Sequence, residues 1–313
     1  MAVVAMEAGC HVIVEKPAAG SVQDVDEMRA ASARTGRLCA VGFQHLYQPE
    51  FARLKEWICD GRFGELHSIR CFGTWPRQPP YYARNKWAGM LAVDDTWALD
   101  SPHNNALSHA LNCMLFLASK EPNTAATPIG MEAELYRANA IDSADTVTMR
   151  VQTKEGVSVY FGASHAVDRE ESPVFEIVAK RASLAMSYDG DLTITWKDGS
   201  TEQYHRKSNG NSVFQGMVQA INTGSPPACT LDVARTHSCC ASASFENGIL
   251  DIPQDYIEVG TDGTVVVTGL VRELQKACER KALLSELGIE WARAKPPIDL
   301  KNYNFFKGKN LIG

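Results

Sequence analysis

The segment Glu7-Ala8-Gly9-Cys10-His11-Val12-Ile13-Val14-Glu15-Lys16-Pro17 joins a helix end to a short apolar strand and stops on a charged pair followed by proline. Residues 1–8 read as the last turns of a helix, and Gly9 supplies the left-handed stop that such ends favour. Residues 11–15 then read as a buried strand of a parallel sheet, because the run is apolar, rich in β-branched residues and unalternating. A lysine at the carboxyl end of such a strand lies where open parallel sheets bind their ligands. Pro17 fixes the backbone just after Lys16 and is a candidate for a cis bond.

The strand-helix alternation continues outward. Ser21 is placed to cap a helix running to about Thr35, with Asp24 in its first turn and Gly36 just past its end. Residues 38–43 read as a second buried strand, and Pro49 opens an amphipathic helix through Phe51, Leu54, Trp57 and Ile58. Two strands and their helices are too few for a stable dinucleotide fold. Beyond Gly64 the composition changes, which puts the domain boundary there: residues 1–63 form one unit and 64–313 a sheet-rich second one.

In that second unit, residues 65–75 predict a long strand, and the loop 77–102 gathers Tyr81, Tyr82, Arg84, Asn85, Trp87 and Gly89, a composition suited to a binding surface. Strands are expected at 133–138, 146–153, 157–164, 174–179, 183–187 and 192–196. Lys154-Glu155-Gly156 and Lys197-Asp198-Gly199 serve as hairpin turns, so the sheet should be open and largely antiparallel. Helices are expected at 212–223, 231–247 and 266–287. Glu176 and Glu246 read as single carboxylates without an inferable partner.

Composition excludes several function classes. A net charge of -6 provides no basic field for a phosphate backbone, so nucleic acid is not an expected partner. No apolar stretch approaches the roughly 20 residues that span a bilayer. Residues 1–9 lack the basic start of a signal peptide. Nine cysteines without CxxC spacing fit buried thiols in a reducing cytoplasm, and neither a zinc site nor a disulfide at Cys239-Cys240 is expected.

Three segments carry a resemblance to the glucose-fructose oxidoreductase / inositol dehydrogenase (Gfo/Idh/MocA) family. They are residues 7–17, residues 36–44 (Gly36-Arg37-Leu38-Cys39-Ala40-Val41-Gly42-Phe43-Gln44) and residues 104–112 (Asn104-Asn105-Ala106-Leu107-Ser108-His109-Ala110-Leu111-Asn112). Together they cover roughly the first 120 residues, and their order and spacing make the match. The resemblance implies α/β plus α+β: a partial Rossmann-like parallel unit, then a substrate domain with a large open, mostly antiparallel sheet. It implies an NAD- or NADP-dependent dehydrogenase that moves a hydride between the cofactor and a sugar, inositol or related polyol. It also implies a homo-oligomer, joined through the broad sheet.

Family resemblance assigns Lys16 as the substrate-activating cation. His109 is the candidate proton acceptor, since loss of hydride from a carbinol carbon requires the hydroxyl proton to leave as well. Asn105 and Asn112, about one turn either side of His109, are expected to share its helix face and bind a polyhydroxylated ligand. Many family members carry Asp where Asn105 stands, and an amide cannot share a proton as a carboxylate can. Asp100 or Ser101 is a candidate N-cap for that helix, with His103 or Asn104 behind it able to reach the site. Gln44 leaves the second strand on the same rim as Lys16. Arg84 and Trp87 can clamp a sugar. Glu15, Lys16, Pro17 and Gln44 form the expected cofactor contact, and no metal ligands are expected.

No G-x-G-x-x-G occurs in the chain, and the resemblance implies that the strand-helix unit holding a pyrophosphate belongs upstream of residues 7–17. The expectation is a chain that enters its first domain partway, holding the nicotinamide half of the site without the adenosine half. Such a chain would bind a dinucleotide poorly, or with help from a partner subunit. Two alternatives stand beside the dehydrogenase: a catalytically silent oligomerisation or ligand-sensing subunit, and an NAD-assisted glycosidase.

Overall fold

In the computed structural model, which describes residues 1–206, 212–309 and 311, helix α1 (Ala2–Glu7) ends at Gly9 in the left-handed region, φ 90°. The chain then enters β1 (Val12–Val14), crosses through α2 (Val22–Thr35) and returns as β2 (Cys39–Val41), parallel to β1 with Ile13 opposite Ala40. Gly36 closes α2 at φ 66°. Ser21 occupies the N-cap position but does not cap: its hydroxyl donates to the Asp24 carboxylate at 2.6 Å, leaving no acceptor aimed at the helix. A single 3₁₀ turn (Gln44–Tyr47) leads to α3 (Pro49–Cys59), which buries Phe51, Leu54 and Ile58 at the periodicity its sequence carries.

A second, ten-stranded sheet follows. Its members are β3 (Leu66–Thr74), β6 (Pro128–Arg137), β7 (Thr146–Thr153), β8 (Ser158–Ser164), β9 (Val174–Ala179), β10 (Ala182–Ser187), β11 (Leu192–Trp196), β12 (Thr201–Tyr204), β13 (Leu250–Asp251) and β16 (Ile298–Asp299). The order is β12-β11-β10-β9-β3-β8-β7-β6-β13, with β16 also on β6. Pairing is antiparallel except for β3 with β8 and β13 with β6. Between β3 and β6 the chain makes α4 (Pro79–Ala83), a hairpin of β4 (Ala92–Val93) and β5 (Thr96–Trp97), and α5 (Ser108–Leu117). After β12 come α6 (Val213–Thr223), α7 (Leu231–Ser244), a hairpin of β14 (Ile257–Val259) and β15 (Val265–Val267), and α8 (Leu270–Arg280).

Strand alternation divides the core between the two faces of the sheet. Val159 and Phe161 of β8 join a cluster with Leu111 and Leu115 of α5, Leu54 of α3 and Val25 of α2. Their neighbour Tyr160 faces the other way, into a second cluster with Tyr136, Val271, Leu274 and Trp291 beneath α8. One continuous apolar core thus spans the parallel β1-α2-β2 unit and the large sheet. Among the described residues no helix is long and apolar enough to cross a membrane.

Several expectations need correction. The helix expected at 266–287 is three elements, because Val265–Val267 pair as a strand with Ile257–Val259, Gly269 takes φ 74° and Lys281 φ 53° ends α8 before a 3₁₀ turn at Leu284–Leu287. Three consecutive β-branched residues outweigh the helical periodicity behind them. The helix at 231–247 ends at Ser244 and tightens into a 3₁₀ turn, Phe245–Asn247. Glu176 and Glu246 are partnered: Glu176 pairs with Arg70 across β9 and β3 at 2.5 Å, and Glu246 accepts from the Tyr303 hydroxyl at 2.8 Å.

Candidate active site

The end of β1 delivers Lys16 to a cavity of about 270 Å³ lined by Lys16, Ala19, Gly20, Trp87, Trp97 and Asp100, among others. At roughly 30 Å³ per water molecule, that is room for about nine waters. The Lys16-Pro17 bond is cis, as the sequence suggested. The Lys16 ammonium donates to the Asn105 backbone oxygen at 2.7 Å and to Asn105 Oδ1 at 3.0 Å. An ammonium has three donors, so one remains for a ligand in the cavity. Burial lowers the Lys16 pKa, the Arg84 guanidinium adds to that, and Glu15 and Asp100 oppose it.

Asn105 is itself fixed. Its Nδ2 donates to Asp100 Oδ1 at 2.7 Å and to the Tyr81 hydroxyl at 3.3 Å. Asp100 in turn accepts the Gly89 N–H through Oδ2 at 2.6 Å. Burial raises the Asp100 pKa, opposed by the Gly89 N–H, Asn105, Arg84 and Lys16. Leu99, just before it, is fully buried with φ 46°, a left-handed conformation uncommon for leucine. Backbone strain of this kind gathers beside functional groups.

The cavity mouth is aromatic. Trp87 is exposed and lines the cavity; Arg84 stacks on it at 4.9 Å and on Tyr81 at 3.5 Å. Trp97 closes another wall. Sequence reading missed Trp97, Asp100 as a site carboxylate, and Tyr81 as a partner of Asn105. A signal for Trp97 was present, since Asp94-Asp95 between Val93 and Thr96 is a hairpin turn flanked by strand-forming residues.

Other candidates fall elsewhere. Asn105, His109 and Asn112 do not share a helix face, because α5 begins only at Ser108 and Asn105 lies in the turns before it, where its N–H donates to Ser101. Asn112 is fully buried in α5, with no partner for either side-chain atom among the described residues. His109 is buried and does not line the cavity: it packs edge-on against Phe43 at 5.5 Å and against His45 at 5.0 Å. Burial drives its pKa down to about 2, and His45, Lys16 and His237 push the same way, so the imidazole is neutral at physiological pH.

His103 is fully buried, stacked on Phe245, with Nε2 against the Ser244 hydroxyl at 2.9 Å, so it does not reach the cavity. Gln44 and Glu15 are exposed and do not line the cavity, since the chain turns into the 3₁₀ segment at Gln44. Neither Asp100 nor Ser101 caps α5; Asp100 is committed to Gly89 and Asn105, and the Ser101 hydroxyl donates to the Leu99 carbonyl. Among the described residues no group of three His, Cys, Asp or Glu is placed to hold a metal ion.

Comparison with known proteins gives two family matches. Residues 1–43 match the model of the oxidoreductase family with NAD-binding Rossmann fold, and residues 51–185 match that of the GFO/IDH/MocA C-terminal domain. The chain is 40% identical over 66 residues to 1-carboxy-3-chloro-3,4-dihydroxycyclohexa-1,5-diene dehydrogenase of Comamonas testosteroni, a match covering 21% of this chain and 17% of that protein. It is 35% identical over 63 residues to D-glucoside 3-dehydrogenase of Escherichia coli, covering 20% and 18%. The chain thus spans about a fifth of the length of these relatives. Among solved structures, levoglucosan dehydrogenase in complex with NADH superposes with a TM-score of 0.65 at 18% identity, over 78% of this chain and 73% of that one, a likeness of fold.

Proposed function

This chain belongs to the Gfo/Idh/MocA oxidoreductase family, and from that premise we propose that it moves a hydride between NAD or NADP and a sugar, inositol or related polyol. The observation that carries the reading is Lys16, held by both oxygens of Asn105 at the edge of a ring-sized, tryptophan-walled cavity. The fit to a nicotinamide rests on the same place. Ala19 and Gly20 leave the cavity floor free of bulk, and Lys16 offers a donor to a ribose hydroxyl or carboxamide. When bound, the nicotinamide supplies the hydride acceptor or donor.

Lys16 donates its third N–H to the carbinol oxygen and steadies the negative charge that grows there. Asn105 and Asp100 fix the direction in which that ammonium points. His109, the residue type suited to accept the carbinol proton, lies buried outside the cavity lining with its basicity suppressed by burial, so the reading rests on Lys16 and not on His109. Trp87 and Trp97 pack on the apolar face of the ring. The outer face of the large sheet exposes Val174 and Val178 on β9, a surface suited to a homo-oligomer, and the free cysteines suit a reducing cytoplasm.

Fluorescence titration of the chain with NADH and NADPH tests this reading. Saturable micromolar binding, followed by reduction of NAD(P)⁺ on adding a polyol, supports it. A folded chain that binds neither nucleotide would leave a ligand-sensing or oligomerisation role in its place.

A further inference from the structure

Trp97 is held from outside the cavity by a segment more than 200 residues further along the chain. The Phe306 ring meets it edge-on at 5.0 Å. Gly308 lies so close that an added Cβ would fall 2.5 Å from the indole, and its φ of +58° also favours glycine. Phe306 is buried, and its backbone is gripped at both polar atoms by one side chain: its N–H donates to Gln23 Oε1 at 3.0 Å and its carbonyl accepts from Gln23 Nε2 at 3.3 Å. Glu246 anchors the same segment, accepting from the Tyr303 hydroxyl at 2.8 Å and the Lys307 N–H at 3.1 Å. On the cavity side Gly20 abuts the backbone of Trp97, where an added Cβ would meet the Trp97 carbonyl oxygen at 1.7 Å.

We propose that residues 303–308 form a specificity wall, positioning Trp97 so that the cavity accepts a single pyranose or cyclitol ring. The inference rests on the polyol reading of the cavity and adds to it the element that limits the substrate. The indole presents a flat apolar surface to the axial C–H face of such a ring, while Lys16 and Asp100 meet its hydroxyls. Trp97 is fixed both by Gly20 and by the 303–308 segment, so it has no room to retreat before a larger substituent. Phe306 and Gly308 are positioning residues, which act on the substrate through Trp97.

The test uses the full chain and four variants: Phe306→Ala, Gly308→Ala, Trp97→Phe and Trp97→Ala. Each is assayed for reduction of NAD⁺ and NADP⁺ with myo-inositol and D-glucose, for polyol binding by saturation-transfer NMR, and for NADH affinity. The expected result is a polyol KM raised about tenfold or more in Phe306→Ala, Gly308→Ala and Trp97→Ala, with kcat within about twofold and NADH affinity unchanged in Phe306→Ala and Gly308→Ala. Trp97→Phe should recover most of the loss. Unchanged polyol KM in folded Phe306→Ala and Gly308→Ala would overturn the wall while leaving the dehydrogenase reading intact. Equal losses in polyol KM, kcat and NADH affinity would also overturn it, by making the segment a general support. Absence of both polyol binding and polyol-dependent reduction in the parent chain would overturn the polyol reading and the wall with it.

Discussion

The ammonium of Lys16 grips Asn105 twice, through the backbone oxygen at 2.7 Å and Oδ1 at 3.0 Å, across 89 residues of sequence. This pair fixes the end of β1 to the turns that precede α5. Lys16→Ala should lower turnover by about 10²- to 10⁴-fold, the range for a lost acid-base group, with little change in NADH affinity. Asn105→Leu should lower turnover less, because the ammonium survives but loses its aim. Steady-state kinetics with a folded-state check decides, and near-full turnover in Lys16→Ala would remove the site assignment.

Acid should unfold this chain early. Burial holds His45 and His237 down to about 4, His103 and His165 to about 3, and His109 to about 2. The unfolded chain therefore binds more protons than the folded one below about 6.5. The stability these groups contribute is fully present above that pH and is lost as pH falls toward the folded values. Each contributes a slope of about 1.4 kcal/mol per pH unit in that window. Urea midpoints measured from pH 7.5 to 5 should fall steeply, whereas a flat profile would contradict the burial of these imidazoles.

Lys55, on α3, donates to the Phe116, Ser119 and Thr124 carbonyls at 2.6, 2.7 and 3.1 Å. It satisfies the carbonyls at the end of α5 and sits at the negative end of that helix dipole. Lys55→Met keeps the bulk and orphans the acceptors, so it should destabilise the chain by about 2–4 kcal/mol. Denaturant melts would show this; a loss under about 0.5 kcal/mol, the usual size for a neutral surface change, would mean that water replaces the ammonium there.

Gly20 leaves no space for a methyl group. Gly20→Ala should force the β4-β5 hairpin away from the floor of the cavity and cost about 1–3 kcal/mol, as overpacking does. Polyol affinity should fall along with stability. Calorimetric melts and NMR binding on the same sample would separate the two effects, and wild-type values for both would refute the close approach.

Thiol accessibility offers an inexpensive check of the packing. All nine cysteines are free; Cys10 is exposed and Cys59 half-buried, while the other seven are buried. A thiol reagent should therefore react quickly with Cys10, slowly with Cys59, and with the remainder only in denaturant. Fast reaction of Cys113 or Cys240 would contradict the buried α5 and α7.

Periodicity and turn chemistry made much of the fold legible. The strands Thr146–Thr153, Val174–Ala179 and Leu192–Trp196 and the helix Pro49–Cys59 fall where alternation and proline placed them. The approach to α5 was not legible. Asn105 reads as helical by spacing, yet its side chain donates to Asp100 and accepts from Lys16, 89 residues away, a partner that local propensity does not encode. The Trp97 wall was hidden because Gly20 and residues 306–308 converge on it from two distant stretches of chain.

The central position of β3 also sets the order in which this molecule can be assembled. Ser68 pairs with Ser158 on one side and Val178 on the other, 90 and 110 residues further along, so during synthesis β3 waits unpaired until most of the sheet has emerged. The stretch that leaves β3, carrying Tyr81, Trp87, Trp97 and Asp100, is the loop that this late pairing closes. Closing it carries the entropy of a long-range contact and predicts a slow final folding phase. The large sheet and the walls of the cavity are therefore completed together, late in folding.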